Sequence, residues 1–248
     1  MLGLALPAAA QGPAAPGLTE RLGGAVPLDV VLRDEQGAPV RLGDALDKPT
    51  VLALVYFRCA GICSPLLNGL GDAVERTGLR PGRDFRILTV SFDDRDGPTV
   101  AETKRRNYLA GLSKDFPPDA WRFLTGDAAE TKRLADAVGF GFRREGSEFV
   151  HPAALTILAP GGRITRYLYG ITFLPFDLKM AIVEASEGRA VPTAARVLQL
   201  CYSYDPGGRR YFLDLTRLAG LGTLVALVLF AAALVVRGAR RSRAEAGR

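Results

Sequence analysis

The stretch "VLALVYFRCAGICSPLLNGL", residues 51 to 70, changes character halfway. Val51 to Phe57 is apolar or aromatic at every position and rich in strand-favouring residues, the pattern of a parallel strand buried on both faces. After Pro65 the apolar residues return at Leu66, Leu67, Leu70, Ala73 and Val74, the spacing of one helix face. Pro65 suits a first turn and Gly78 a stop. Between strand and helix lies "RCAGIC", which holds two of the chain's three cysteines, Cys59 and Cys63. A loop at the carboxyl end of a parallel strand is where open α/β sheets build their sites.

The remaining elements extend this unit in both directions. "PLDVVLRDEQGAPVRL" (27–42) reads as a hairpin around Glu35-Gln36-Gly37, and "FRILTVSF" (85–92) as a second buried strand. Helices are expected over 98–113 and 128–138, the latter opened by a capping box of Asp127 and Glu130. "AALTILAP" (153–160), Gly161-Gly162 and "RITRYLYG" (163–170) form an antiparallel hairpin, and "FDLKMAIVEAS" (176–186) a closing helix. The order hairpin, β, α, β, α, α, β, β, α predicts an α/β fold, a mixed sheet covered by helices. No internal repeat is visible.

With 248 residues, 48% of them hydrophobic, the chain can build one full core and something more. The surplus lies at the C-terminus, where residues 218–236, "LAGLGTLVALVLFAAALVV", run for 19 residues without a charge. As a helix that length spans about 28 Å, close to the hydrocarbon thickness of a bilayer. Five arginines against one glutamate follow in "RGARRSRAEAGR" and hold +4 of the chain's formal +6. The positive-inside rule assigns that tail to the cytoplasm and the domain before the span to the periplasmic side of a bacterial-type inner membrane. Because the excess charge marks topology, it carries no nucleic-acid footprint. "MLGLALPAAAQGPAAPG" looks like the end of a secretory signal, a short apolar stretch before small residues. The expected division is a leader or signal remnant (1–16), a folded domain (17–187), a juxtamembrane segment (188–217), a transmembrane helix (218–236) and a basic tail (237–248).

Cys59 and Cys63 fall where the strand ends and the helix begins. In a first helical turn, residues four apart share a face with Cβ atoms roughly 5–6 Å apart, so two thiolates there can bind one metal ion or close into a disulfide. The helix N-terminus also favours the thiolate form. The chain's single histidine, His151 in "EFVHPAALTIL", immediately precedes the third core strand and could approach the cysteine loop. Two thiolates and one imidazole form a soft, low-coordinate set that suits copper(I) and is usable by copper(II), whereas zinc normally wants a fourth ligand or an open position. Spacing alone leaves copper, zinc and plain redox chemistry open. Cys201, in "LQLCYSYDP", stands outside the sheet order and reads as an unpaired structural cysteine.

Four segments in this order resemble the Sco/SenC family of thioredoxin-like copper proteins. They are "YFRCAGICSPLLNGL", the acidic loop "VSFDDRDGP", "FVHPAALTILAPGGRITRYLYG" and "LCYSYDP", and the resemblance runs from about Pro27 to Asp205. It implies a thioredoxin-like fold, copper held by Cys59, Cys63 and His151, and a role in assembling the copper A centre of cytochrome c oxidase. Asp93 and Asp96 would lie near the site as second-sphere or docking groups. The implied partners are oxidase subunit II or another copper chaperone, and a thiol-disulfide reductase that uses Cys59 and Cys63 as its redox pair is the rival function. The chain departs from the family pattern at Ala60, Asp94 and Ser203, where proline, proline and histidine are common. The serine removes any additional histidine ligand from that element.

Overall fold

The computed structural model describes residues 16–59, 61–113, 115–190, 202–205 and 210–213. Two compact units divide the chain, Met1–Pro192 and Thr193–Arg248. In the first, β1 (Gly17–Leu18), β2 (Val31–Arg33) and β3 (Pro39–Arg41) precede a long strand, β4 (Thr50–Val55). Then come α1 (Cys63–Glu75), β5 (Arg86–Ser91), α2 (Pro98–Ala110), β6 (Trp121–Leu124) and α3 (Ala128–Ala137). Three short strands, β7 (Phe140–Gly141), β8 (Arg143–Glu145) and β9 (Glu148–Val150), lead into β10 (Ala154–Leu158), β11 (Ile164–Tyr169) and α4 (Pro175–Ser186).

The central sheet has the order β11-β10-β4-β5-β6. β4 runs parallel to β5 and β5 to β6, while β10 is antiparallel to β4, with Ala53 opposite Leu155. Every residue of β4 is buried, as expected of a central strand covered on both faces. α1 packs against both α2 and α4; α2 also packs on β6 and α4 on β10 and β11, while α3 contacts β7 and β2. The β10–β11 turn places Gly161 and Gly162 at φ +78° and +85°, a conformation that disfavours any residue with a Cβ.

Several elements differ from the sequence expectation. β6, "WRFL", lies where the sequence reading left a connection between two helices. It is only four residues long and carries Arg122 in its middle, so it offers little periodicity. It is stabilised non-locally: Trp121 is fully buried and its indole N–H donates to Thr89 Oγ1 at 2.8 Å. Its free edge is covered by the turn after β2, where the buried Glu35 carboxylate accepts from Phe123 N–H at 2.7 Å. The hairpin β8–β9 was also unforeseen, because its residues are mostly charged and exposed. The capping box at α3 is half made. Asp127 accepts from Glu130 N–H at 2.9 Å, but the Glu130 carboxylate turns away to accept from Val31 N–H at 2.9 Å.

In the second unit, β12 (Tyr202–Asp205) and β13 (Arg210–Leu213) form an antiparallel hairpin. Most of the leader, Cys201, the apolar stretch 218–236 and the tail 237–248 lie outside the described residues. Among the described residues no helix is long and apolar enough to cross a membrane.

α1 closely approaches the loop that follows β11. A Cβ built on Gly69 would come 2.0 Å from the Ile171 carbonyl oxygen, so nothing larger than hydrogen fits without moving backbone. Gly→Ala inside a helix otherwise stabilises by up to about 1 kcal/mol, which makes the sign of this substitution informative. Gly69→Ala is expected to destabilise by about 1–3 kcal/mol through overpacking, read as a lower denaturation midpoint at unchanged m-value. A neutral or stabilising result would contradict the close approach.

Candidate metal centre

The site forms at the end of the sheet where β4 terminates and β10 begins. β4 delivers Tyr56, Phe57 and Arg58 to a turn in which the Cys59 N–H donates to Tyr56 O at 3.3 Å, and α1 starts at Cys63. Both sulfurs belong to buried residues, Cys59 8% and Cys63 4% exposed, and both are free thiols. Since β10 is antiparallel to β4, the segment that leads into it returns to the same end, and that segment carries His151, three residues ahead of Ala154. Donor atoms of Cys59, Cys63 and His151 all lie within 4.8 Å of one another, and His151 Nε2 is 3.5 Å from Cys63 Sγ. The structure thus gathers the three residues into one group able to hold a metal ion.

The histidine tautomer follows from its other nitrogen. His151 Nδ1 lies 2.9 Å from Pro152 O, and a carbonyl only accepts, so the proton resides on Nδ1 and Nε2 offers its lone pair to the sulfurs. Tyr56, Phe92 and Phe140 surround the imidazole, with ring centroids 5.7, 5.3 and 6.0 Å away.

The two thiols are electrostatically unequal. The neighbouring Cys63 side chain, the largest influence on it, holds the Cys59 thiol well below the ordinary cysteine range. Burial opposes the shift, while the Cys63 backbone N–H reinforces it. The neighbouring Cys59 side chain pushes the Cys63 thiol up, and burial adds to it. One sulfur is therefore a ready nucleophile or ligand, and the other surrenders its proton only when a cation or a new S–S bond replaces it.

The acidic loop supports the site from behind. Neither Asp93 nor Asp96 joins the donor group. Asp96 is buried, and its Oδ2 accepts from Phe57 N–H at 2.6 Å and from Ser91 Oγ–H at 2.7 Å, which fixes the backbone two residues before Cys59. Its Oδ1 makes no hydrogen bond and lies 3.5 Å from Arg58 Nε. Asp93 is equally buried. Burial pushes its carboxyl up, but the bidentate Arg95 guanidinium, with Arg144 beside it, outweighs that and keeps the pKa below the usual carboxylate value.

The residues that sequence reasoning missed are Tyr56 and Glu148, together with the hairpin that carries Glu148. Tyr56 donates its hydroxyl to the Glu148 carboxylate, and burial, then that bond, raises the phenol pKa. A buried tyrosine at the end of an otherwise apolar run needs a partner for its hydroxyl, and that is the one signal the sequence offered.

Fold and site together define a thioredoxin-like dithiol protein in which a histidine faces the cysteine pair. The SCO1/SenC family model matches residues 24–177, more than half of the chain. The chain belongs to the SCO1/SenC family. Among solved structures, a candidate electron transfer protein of Aquifex aeolicus VF5 is 27% identical, with a TM-score of 0.61 over 68% of this chain and 95% of that one. Arabidopsis thaliana ScoI with copper bound is 20% identical, with a TM-score of 0.53 over 67% and 99%. BsSco, a member of the Sco family of cytochrome c oxidase assembly proteins in which a disulfide switch was identified, is 20% identical, with a TM-score of 0.54 over 68% and 98%. At such identities the last two likenesses speak for the fold alone. A comparison with curated proteins finds no match.

A lowered pKa keeps a thiolate present as pH falls below the ordinary thiol range. In reduced, metal-free protein the thiolate ultraviolet absorbance is expected to retain one equivalent down to about pH 6, where free cysteines are protonated. Cys59→Ser should abolish it, and Cys63→Ala should move its titration upward. A wild-type midpoint near the free-cysteine value of about 8.5 would contradict the lowered Cys59 pKa.

Proposed function

We propose that this protein is a copper metallochaperone that assists assembly of the copper A centre of cytochrome c oxidase. The observation that carries the reading is the imidazole: His151 Nε2, unprotonated, lies 3.5 Å from Cys63 Sγ and within 4.8 Å of the Cys59 sulfur. Thiol-disulfide exchange requires only the two sulfurs, whereas a copper site gains a third ligand from the imidazole. Family membership supports the same reading, as does the copper bound in Arabidopsis thaliana ScoI. Cys59, Cys63 and His151 would hold the cargo. Delivery would proceed by ligand exchange with thiolate or imidazole groups of oxidase subunit II or of a second chaperone.

One observation favours a second reading. The inequality of the two thiols, one thiolate and one protonated partner, is the arrangement of a disulfide oxidoreductase. A reductase acting on client cysteines would use the same pair, and the disulfide switch named for BsSco is in keeping with that chemistry. Oxidation to a disulfide would also remove both sulfur ligands and release the metal, so the two readings share a site.

The apolar stretch 218–236 and the arginine-rich 237–248 support a single membrane span, with the copper domain on the periplasmic side. A reporter fused after Arg248 is expected to be active only in a cytoplasmic format; periplasmic activity would reverse the orientation.

The two readings separate in cells. Oxidase activity in strains carrying Cys59→Ser, Cys63→Ser or His151→Ala is expected to fall, to recover at least partly with excess copper, and not to respond to added thiol reductant. Rescue by reductant without rescue by copper would establish the reductase instead.

A further inference from the structure

The candidate centre is built from two halves of unequal attachment. The dithiol half belongs to β4 and α1, anchored in the central sheet and core. The imidazole half follows β9, the second strand of a hairpin that forms a sheet of its own. Among the described residues, no backbone–backbone hydrogen bond joins residues 143–150 to the rest of the chain. Apart from the chain connections to β7 and β10, the contacts that hold this arm in place all involve a side chain.

One of these attachments is the Tyr56–Glu148 bond, and a second group centres on Arg144. It stands directly opposite Phe149 in the hairpin register, and its guanidinium lies over that ring, 4.5 Å from the centroid. The same guanidinium donates to Asp94 Oδ1 at 2.9 Å and to the buried Asp93 Oδ1 at 3.2 Å, so it ties the arm to the loop that follows β5. Beneath the guanidinium, Phe149 packs on Tyr56 and Phe92, at 5.1 and 5.3 Å, the two rings that also wall the imidazole. Arg95, itself held by Asp93, donates to Ser147 O at the hairpin tip at 3.1 Å. Pressing Phe149 onto Tyr56 and Phe92 fixes the position of the backbone two residues before His151.

We infer that Arg144 is a positioning residue for His151: through Phe149 and the Asp93–Asp94 loop it seats the arm that brings the imidazole to the cysteine pair. Releasing the arm leaves a two-sulfur site, which retains soft copper(I) but lacks the nitrogen that suits copper(II). The arm thereby governs how readily copper(II) leaves. The copper part of this inference rests on the proposed function; the seating of the arm does not.

The test uses the full chain with Arg144→Met, which keeps the apolar stem, Arg144→Lys, which keeps the charge, and Arg133→Met as a control that breaks exposed ion pairs to Asp29 and Glu130. In the metal-free protein, amide hydrogen exchange across 143–150 is expected to accelerate about tenfold in Arg144→Met, the combined size of partly exposed ion pairs and a cation–π contact. Exchange across 50–75 should be unchanged, Arg144→Lys should lie between, and Arg133→Met should match the wild type. In copper-loaded protein, extraction of copper(II) by a chelator should accelerate in the same order, while copper(I) extraction changes by less than about twofold, as expected when only the nitrogen is lost. Unchanged exchange across 143–150, equal acceleration of both segments, or equal acceleration of both oxidation states would overturn the assignment. Failure of the wild-type chain to bind copper would overturn the proposed function, and the exchange data would still decide the role of Arg144.

Discussion

The site exists because one strand runs against the others. β4, β5 and β6 are parallel, so each delivers its following loop to the same end of the sheet. β10 is antiparallel to β4, so its beginning rather than its end arrives there. Three separate pieces of chain therefore meet: the cysteine turn after β4, the acidic loop after β5 and the histidine before β10. Were β10 parallel, His151 would lie at the far end of the sheet and the cysteines would be an ordinary redox pair. The packing that enforces this arrangement is the fully buried β4, which cannot shift register without driving apolar side chains out of the core.

Chemistry follows from how differently the meeting pieces are held. The cysteine turn is pinned by Asp96 through the Phe57 N–H, a charge-assisted bond in a buried setting and hence a strong constraint. The histidine is held by aromatic walls and by an arm whose attachments involve side chains. Two sulfurs on a firm base and a nitrogen on a separately mounted one are in keeping with the proposed acceptance and release of copper. The same base permits disulfide formation, since the two sulfurs are neighbours and unequal in acidity.

How much of this was legible in the sequence varied with how local the cause was. β4 and β5 were readable because their residues are apolar without alternation, and the β10–β11 turn because two adjacent glycines can adopt positive φ. α3 was readable from Asp127. β6 was not, since Arg122 interrupts it and its stability comes from Thr89, Glu35 and the burial of Trp121, all remote in sequence. Cys59, Cys63 and His151 could be named as candidates from residue type and placement. Their enclosure could not, because Phe92, Phe140, Tyr56 and Phe149 come from four different segments. Asp93 and Asp96 were recognisable as an acidic loop near the site, yet sequence gave no means of separating Asp96, which braces the cysteine turn, from Asp93, which gathers two arginines.

The central claim is that a firm dithiol and a separately mounted imidazole form one metal site. X-ray absorption at the copper edge tests it most directly, on the full chain loaded with copper(II) and on His151→Ala loaded in the same way. The expected first shell contains two sulfurs and one imidazole nitrogen, and His151→Ala should lose the nitrogen while keeping both sulfurs. A shell without sulfur, or one that His151→Ala leaves unchanged, would contradict it.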